Sequence, residues 1–340
     1  YAGAESRIVV FEPITEVIRF VPEYVDLSAE LSDKRVYITD NMQDCIDYIT
    51  QKYLTEDRIE VLYSKYYANI AQAELMKFSE ELLELCKQKN LDVNTIKNLK
   101  NVWISNTIKN IKHYTNARPI DILKNKFAGK TALIAAAGPS LNNDLALLKA
   151  NRDKFTVFCV NRAVSILIKN GIIPDFVVFA DAFADNTLDG VKDQLANTNF
   201  ILNPRTDQLA FETESKSKLI YFFNSDNFTL TLKEKYNANI STYESAGTVA
   251  INAYFAAKTM GFSQIIFSGL DLAFTGGFIY ANNTKAQLDK AGELTGNIGN
   301  KKVLYVKDKN GNDIPTRDDL CLFIRQFEEI LEKTPDNELY

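Results

Sequence analysis

The amino-acid sequence predicts an α/β protein with a mostly parallel, Rossmann-like sheet that helices cover on both faces. Two observations lead to this prediction. Short apolar runs with the length of buried strands recur through the second half of the chain, and helical patterns separate them. Glycine, proline and small polar residues follow the ends of these runs. Strands and helices that alternate in this way form parallel sheets.

Residues 1–70 have the pattern of a small α/β unit. The predicted strands are Arg7–Phe11, Arg35–Thr39 and Arg58–Tyr63, and the predicted helices lie near Thr15–Phe20 and Met42–Tyr53. Because the first strand lies so close to residue 1, we expect a partial unit, belonging to a larger Rossmann-like domain.

Residues 71–126 are predicted to form a helical connector. Apolar residues such as Leu75, Phe78 and Leu82 recur at helical spacing, and the charges between them are typical of a solvated face. The helical pattern as a whole extends from residue 66 to residue 117. The pair Arg118-Pro119 ends it, because a residue that precedes proline avoids the helical conformation.

Residues 127–280 are predicted to form the core, and residues 281–340 a C-terminal loop and helical cap. The predicted core strands are the run that begins at Thr131, then Phe155–Val160, Phe176–Phe179, Phe200–Leu202, Leu219–Phe223 and Gln264–Ser268. Helices are expected at Ala163–Lys169 and Thr248–Met260, with Gly261 as the left-handed residue that closes the second one.

Composition excludes several classes of protein. A net charge of -5 over 340 residues argues against a dedicated nucleic-acid-binding protein, which would have a basic face. No apolar run is long enough to span a bilayer, and the N-terminus lacks a signal-peptide pattern. The four cysteines are scattered without a CxxC pair, as in reduced thiols of a cytoplasmic protein. We therefore expect a cytoplasmic location; composition leaves the oligomeric state open.

The chain contains one histidine, His113, in a basic polar stretch. A histidine-rich metal site is therefore excluded, and a Ser-His or Cys-His nucleophile would have to use this residue. We interpret His113 as a surface or interface residue, and we predict no metal site.

The stretch Thr131–Leu141 resembles a phosphate-holding turn between a buried strand and a helix. Gly138 lets the backbone come close to a ligand, Pro139 suits the first turn of a helix, and Ser140 suits its cap. Unpaired N–H groups at a helix start attract phosphate. An ordinary strand–turn–helix corner is the alternative, since the turn is neither a Walker A loop nor GxGxxG.

Compact polar groups follow several other predicted strands, where ligands bind in open parallel sheets. The candidates are Asn161, Arg162, Asp181, Ser245, Gly247, Thr248, Asp271, Thr275 and Tyr280. Each has a structural alternative: serine and threonine cap helices, and asparagine holds its own turn. The two aspartates would cap helices or pair with Arg162, or else hold Mg²⁺ against a diphosphate.

With these residues in view, the chain resembles the motility accessory factor (Maf) family, whose members are flagellin glycosyltransferases. The matching segments are FEPITEVIRF (Phe11–Phe20), AAAGPSL (Ala135–Leu141), CVNRA (Cys159–Ala163), PDFVVFADA (Pro174–Ala182), Glu244–Gly277 and Val306–Leu331. Together they cover most of the chain, in an order and spacing that are specific even though each segment is short.

The core is also similar to bacterial sialyltransferases, in which a GNGPSL turn, a following asparagine and a small-residue loop hold a CMP-activated sugar. The matching residues are Gly138, Pro139, Ser140, Asn161, Ser245 and Gly247. Two departures matter. Ala137 replaces the asparagine of GNGPSL, and the histidine general base of those enzymes has no counterpart here.

A related branch with the same GPSL and GxDLA elements resembles the archaeal hydroxymethylpterin diphosphokinases. That resemblance implies a different reaction, in which a diphosphate passes from ATP to a pterin alcohol with the help of Mg²⁺. The N-terminal unit and the long helical connector favour the Maf family over that smaller enzyme.

The Maf resemblance implies transfer of a nonulosonic sugar, such as pseudaminic or legionaminic acid, from a CMP donor to serine or threonine of flagellin, in support of motility. Asn161 would contact the cytidine or ribose, and backbone donors of the Gly138–Ser140 and Ser245–Thr248 segments would stabilise the leaving phosphate. Asp181 or Asp271 would be the base. No cofactor is obligatory. A flagellin-binding factor without catalysis is a further alternative, because Ala137 removes a donor contact.

The predicted pocket also includes Thr275, Tyr280 and Thr316. Thr316 lies in Val306–Leu331, the last of the matching segments, and with Tyr280 it would shape the donor or acceptor pocket.

Overall fold

The computed structural model describes residues 6–52, 58–183, 186–223, 231, 241–243, 247–281, 287–288, 294–295, 303–308 and 310–332. Within these ranges the chain forms two compact units, Tyr1–Asn98 and Leu99–Tyr340. The boundary between the units falls within the predicted helical connector. Among the described helices, none combines the length and the apolar character needed to cross a membrane.

The strands and helices are numbered in chain order. The strands are β1 (Ile8–Phe11), β2 (Val36–Thr39), β3 (Arg118–Pro119), β4 (Thr131–Ala135), β5 (Thr156–Val160), β6 (Phe176–Phe179), β7 (Asn199–Leu202), β8 (Ser217–Ile220), β9 (Phe222–Phe223), β10 (Thr242–Tyr243), β11 (Gln264–Ser268), β12 (Gln287–Leu288), β13 (Leu294–Thr295), β14 (Val303–Lys307) and β15 (Asp313–Arg317). The helices are α1 (Thr15–Tyr24), α2 (Ser28–Ser32), α3 (Met42–Lys52), α4 (Tyr67–Ile70), α5 (Gln72–Asn110), α6 (Leu141–Ala150), α7 (Val164–Lys169), α8 (Gln208–Glu212), α9 (Val249–Met260) and α10 (Asp318–Glu332).

The first unit contains a parallel pair of strands, β1 and β2, in which Ile8 lies opposite Val36. The predicted strand over residues 58–63 is wrong, because these residues have no regular secondary structure. Their side chains are mostly exposed, so the alternating apolar pattern there has no sheet face to cover. Near the pair, the Tyr67 hydroxyl donates a hydrogen bond to Glu12, and this bond raises the pKa of Tyr67 to about 12.

The second unit is built on a seven-stranded parallel sheet with the order β11-β4-β5-β6-β7-β8-β3. Every core strand predicted from the sequence is present, although the predicted strand Leu219–Phe223 is divided at Tyr221 into β8 and β9. The short edge strand β3 pairs with β8 through Arg118 and Pro119. The sheet therefore begins before residue 127, at the dipeptide that was expected only to end a helix.

Successive residues of the central strands point to opposite faces of the sheet, and both faces are buried. On one face Leu133 and Cys159 pack with α6 and α7, and on the other Ile134 and Phe158 pack with α9. Helices therefore cover both faces, as predicted. Burial raises the pKa of the Cys159 thiol well above its usual range. All four cysteines are free, as the scattered pattern indicated.

The C-terminal segment contains an element that the sequence did not reveal. Strands β14 and β15 form an antiparallel hairpin, which precedes α10. The hairpin is joined to the loop after β11, because the Phe274 amide donates to the Pro315 carbonyl at 2.7 Å. The Thr316 hydroxyl donates to the Leu272 carbonyl at 2.8 Å. Within the predicted C-terminal loop and helical cap, the described residues 303–308 and 310–332 thus form a hairpin followed by a helix.

Candidate functional site at the carboxyl ends of the strands

A cleft of about 250 Å³ lies where the strand order of the parallel sheet reverses. The chain runs from β4 to β8 in one direction and then returns to place β11 on the other side of β4. The loops that follow β4 and β11 therefore diverge, and such a point is the usual ligand site of an open parallel sheet. The loops after β4, β5, β6 and β11 all contribute residues to the cleft.

The β4–α6 turn depends on Gly138, whose amide donates to the Gly269 carbonyl at 2.7 Å. A Cβ atom at position 138 would lie 2.1 Å from Asp271 Oδ2 and 2.5 Å from the Gly269 carbonyl oxygen. Glycine is required here because the loop after β11 comes so close to the backbone. The β4–α6 turn and the loop after β11 are therefore in direct contact at Gly138.

The first backbone N–H groups of α6 are bonded within the protein. The Ser140 amide donates to Asp271 Oδ2 at 3.1 Å, and the amides of Leu141 and Asn142 donate to Gly138 and Pro139. The Ser140 hydroxyl donates to the same carboxylate at 2.8 Å, so it does not cap the helix as an acceptor. The expectation of free donors for a phosphate is therefore wrong: the anion at this helix start is Asp271 itself.

Asp271 joins three parts of the cleft wall. Besides the two bonds from Ser140, its Oδ1 atom accepts a hydrogen bond of 2.6 Å from the Thr275 hydroxyl. Both carboxylate oxygens are thus engaged by the protein. Its role as a base remains a prediction, and the geometry gives it a structural function in any case.

The opposite side of the cleft is formed by Asn161, Arg162 and Asp181. Asn161 is 4% exposed, and its Nδ2 donates to Asp181 Oδ2 at 2.7 Å. This bond fixes the orientation of the amide, because the carboxylate needs a donor. Among the described residues, nothing donates to Asn161 Oδ1, which is buried. A buried carbonyl oxygen without a partner is costly, so a ligand N–H or O–H would stabilise the site.

Arg162 lies between Asp181 and the aromatic ring of Tyr280. Its Nε atom is 3.9 Å from Asp181 Oδ2, and its guanidinium lies 5.4 Å from the centre of the Tyr280 ring. The same Asp181 oxygen thus lies near both Arg162 and the Asn161 amide nitrogen.

The structure brings most of the predicted site residues together. Those that line the cleft are Gly138, Asn161, Arg162, Asp181, Gly247, Thr248, Asp271 and Tyr280. Pro139, Ser140 and Thr275 support the wall through the β4–α6 turn and Asp271. Thr316 was expected to line the cleft. It is instead fully buried, and its hydroxyl joins the C-terminal hairpin to the loop after β11. Ser245 lies outside the described residues.

The loop before α9 is covered by α10. A Cβ atom at Gly247 would lie 2.0 Å from Phe323 Cε1, and the Gly247 amide donates to Gln326 Oε1 at 3.1 Å. Thr248 caps α9 by accepting a hydrogen bond from the Ala250 amide. The backbone donor expected at Gly247 is therefore also used within the protein.

Sequence reasoning missed the cleft residues of the C-terminal segment, namely Arg317, Leu320 and Phe323. They come from β15 and α10, and their position near β11 depends on the hairpin contacts rather than on a strand end. A signal was present, because Arg317 directly follows Thr316 in a segment that matches the Maf family. His113 does not line the cleft and stacks on Phe211, with ring centres 5.8 Å apart.

Two asparagines of α5 hold the loops on the Asp181 side. Asn106 Nδ2 donates to the carbonyls of Ala182 and Arg205, and Asn110 Nδ2 donates to those of Pro204 and Thr206. Both asparagines are buried, and they lie one turn apart on the helix. The residue that follows Asp181 is thus fixed to the loop after β7.

We expect Asn110→Ala to destabilise the protein by about 1–3 kcal/mol, because it leaves two buried carbonyl groups without a donor. Urea unfolding followed by circular dichroism measures this change. Asn101→Ala is the matched control, since Asn101 is an exposed asparagine of the same helix. An equal urea midpoint for the two variants would contradict a stabilising role of the hydrogen bonds from Asn110 to the loop after β7.

The fold and the cleft define a Rossmann-like α/β protein with a candidate ligand site at the switch point of its sheet. The chain belongs to the family described as 6-hydroxymethylpterin diphosphokinase MptE-like, which matches residues 105–277, just over half of its length. The predicted resemblance to these proteins is confirmed.

A solved Maf glycosyltransferase from Magnetospirillum magneticum AMB-1 shares the fold, with a TM-score of 0.68 at 16% sequence identity. The similarity covers 98% of this chain and 51% of the other, so this chain spans about half of that protein's length. The predicted resemblance to the Maf family and the predicted fold class are confirmed. An uncharacterized protein of Treponema pallidum (strain Nichols) is 29% identical over 80 residues, which are 24% of this chain and 37% of the relative.

Proposed function

We propose that this protein is a glycosyltransferase that moves a nonulosonic sugar from a CMP donor to serine or threonine hydroxyls of flagellin in the cytoplasm. The observation that carries the proposal is the unpartnered, buried oxygen of Asn161 at the switch-point cleft. An exocyclic amine of cytosine or a ribose hydroxyl would supply the missing donor. The fold shared with a Maf glycosyltransferase supports the reaction class.

The proposed reaction is a direct displacement at the anomeric carbon of the sugar. The acceptor oxygen forms the new bond, the bond from the anomeric carbon to the phosphate oxygen breaks, and CMP leaves with the electron pair. The acceptor proton passes to a carboxylate. Asp181 is the better base of the two candidates, because its carboxylate accepts one hydrogen bond, from Asn161, whereas three donor groups engage the Asp271 carboxylate.

The family match favours a second candidate function, a diphosphokinase that acts on a pterin alcohol with ATP and Mg²⁺. Asp181 and Asp271 both line the cleft and have the oxygen ligands that Mg²⁺ prefers. Within the described residues, no three His, Cys, Asp or Glu side chains form a group that would hold a metal ion. Phosphate oxygens of the nucleotide would have to complete the coordination.

Titration with CMP, CDP and ATP, each with and without Mg²⁺, tests the proposal. We expect cytidine nucleotides to raise the melting temperature by several degrees without metal, since a ligand at a hundred times its dissociation constant adds about 2.7 kcal/mol. Calorimetry gives the affinities. A response to ATP that requires Mg²⁺ would favour the diphosphokinase instead.

Release of CMP from a CMP-nonulosonate distinguishes the transferase from a flagellin-binding factor without catalysis. We expect slow hydrolysis of the donor in the absence of flagellin, and faster release of CMP when flagellin is added. Nucleotide binding without any release of CMP in either condition would contradict the transferase.

A further inference from the structure

The guanidinium of Arg317 is a polar group of the cleft whose function is not explained by the fold. Its side chain is only 15% exposed, and it lines the cleft. The Nε atom donates to Asp319 Oδ1 at 2.6 Å. Within the described residues, its two terminal nitrogens make no hydrogen bond. A largely buried guanidinium with four unused N–H bonds requires an acceptor.

Three backbone amides of the anion site that the sequence suggested are used within the protein. These are the amides of Gly138, Ser140 and Gly247. The helix start of α6 carries the Asp271 carboxylate, so a phosphate placed there would meet a negative charge. The arginine side chains that the cleft offers to a negatively charged ligand are Arg162 and Arg317.

The position of Arg317 is fixed by the residues on either side of it. The preceding Thr316 is fully buried and bonded to the Leu272 carbonyl, and Asp319 holds the Nε edge of the guanidinium. A guanidinium fixed by its Nε edge presents its terminal nitrogens as a fork, which matches the two oxygens of a phosphate or a carboxylate.

We propose that Arg317 binds the anionic group of the ligand and that this side chain takes the place of the helix start as the anion site. The inference rests on the proposed function only for the source of the anion. That source is either the phosphate of the nucleotide or the carboxylate of the sugar, and both are oxyanions that a guanidinium binds in the same way.

The test compares wild type, Arg317→Gln, Arg317→Lys and Lys307→Gln by calorimetry. Lys307→Gln is the matched control, because it removes one positive charge from an exposed side chain of the same hairpin. The probes are CMP, cytidine, N-acetylneuraminate, ATP with Mg²⁺, and inorganic pyrophosphate. We expect Arg317→Gln to weaken the binding of at least one anionic probe by roughly tenfold or more, which is the effect of a lost hydrogen bond to a charged group. The affinity for cytidine should be unchanged.

The different probes show which anionic group Arg317 binds. Weaker CMP binding with unchanged N-acetylneuraminate binding identifies the phosphate, and the opposite result identifies the carboxylate. If only ATP or pyrophosphate depends on Arg317, the anion site is supported and the proposed sugar transfer fails. Arg317→Lys should retain part of the affinity, because it keeps the charge without the fork.

Equal affinity of wild type and Arg317→Gln for every anionic probe would overturn the inference, and so would the absence of any anion binding by wild type at millimolar concentration. Melting temperatures without ligand show whether the variants are folded. If Arg317→Gln does not fold, the ratio of CMP to cytidine affinity in Arg317→Lys decides, since a purely structural role would leave that ratio unchanged.

Discussion

Gly138→Ala should lower the free energy of unfolding by about 1–3 kcal/mol, the usual cost of forcing extra volume into a packed site. The new Cβ atom would lie 2.1 Å from the Asp271 carboxylate and 2.5 Å from the Gly269 carbonyl oxygen, so the loop after β11 must move. For a domain of this size each kcal/mol lowers the melting temperature by roughly 2–4 °C. We also expect weaker nucleotide binding, since both loops line the cleft.

A double-mutant cycle with Asp271→Ala tests the cause of this effect. In that background the carboxylate is gone, and the added methyl group meets only the Gly269 carbonyl. Gly138→Ala should therefore cost less than it does in the wild type. The same cost in both backgrounds would show that the carboxylate does not lie against Gly138.

Asn161 is the site of the second large effect, and two substitutions test it. Asn161→Ala removes both the acceptor for the ligand and the donor to Asp181, and we expect CMP to bind roughly tenfold more weakly. Asn161→Asp keeps an oxygen acceptor for the ligand. It replaces the Nδ2 donor, which lies 2.7 Å from Asp181 Oδ2, with an oxygen of a second carboxylate. Because a buried charge without its partner is costly, we expect a loss of about 3 kcal/mol or more at neutral pH.

The pH dependence of Asn161→Asp has a definite sign. Two adjacent carboxylates in the native state share a proton more readily than the separated groups of the unfolded chain. The native variant therefore binds more protons, and its stability relative to wild type should rise as the pH falls. Urea unfolding at several pH values measures this. Asn143→Ala, at an exposed position of α6, is the control, and a pH-independent difference would contradict the predicted contact.

The core sheet could be predicted because its strands are short, continuously apolar and buried on both faces. Residues 176–179, for example, have no polar position and are all buried. The strand predicted over residues 58–63 rested on an alternating pattern and failed, because strand formation also requires a neighbouring strand. Strand β3 was missed for the opposite reason: an arginine and a proline carry no strand signal, and the pairing with β8 alone makes them a strand.

The candidate site was predictable where a side chain follows a strand of the sheet. Asn161, Asp181 and Asp271 were found in this way, since parallel strands bring their ends to one edge. Their partners could not be read from the sequence. The bond of Ser140 to Asp271 joins residues 131 positions apart, and it converts an expected phosphate site into an internal contact. Arg317 was missed because it lies in the C-terminal hairpin and does not follow a strand of the parallel sheet.

The place of β11 in the sheet has a consequence for synthesis of the protein on the ribosome. Strand β4 leaves the ribosome early, but its outer neighbour arrives late, because the paired residues Thr131 and Gln264 are 133 positions apart. Until then one edge of an apolar strand is open to pairing with other nascent chains. Chains that stop before residue 264 should therefore aggregate or require a chaperone, and the cleft can form only after β11 and the loop that follows it have been synthesised.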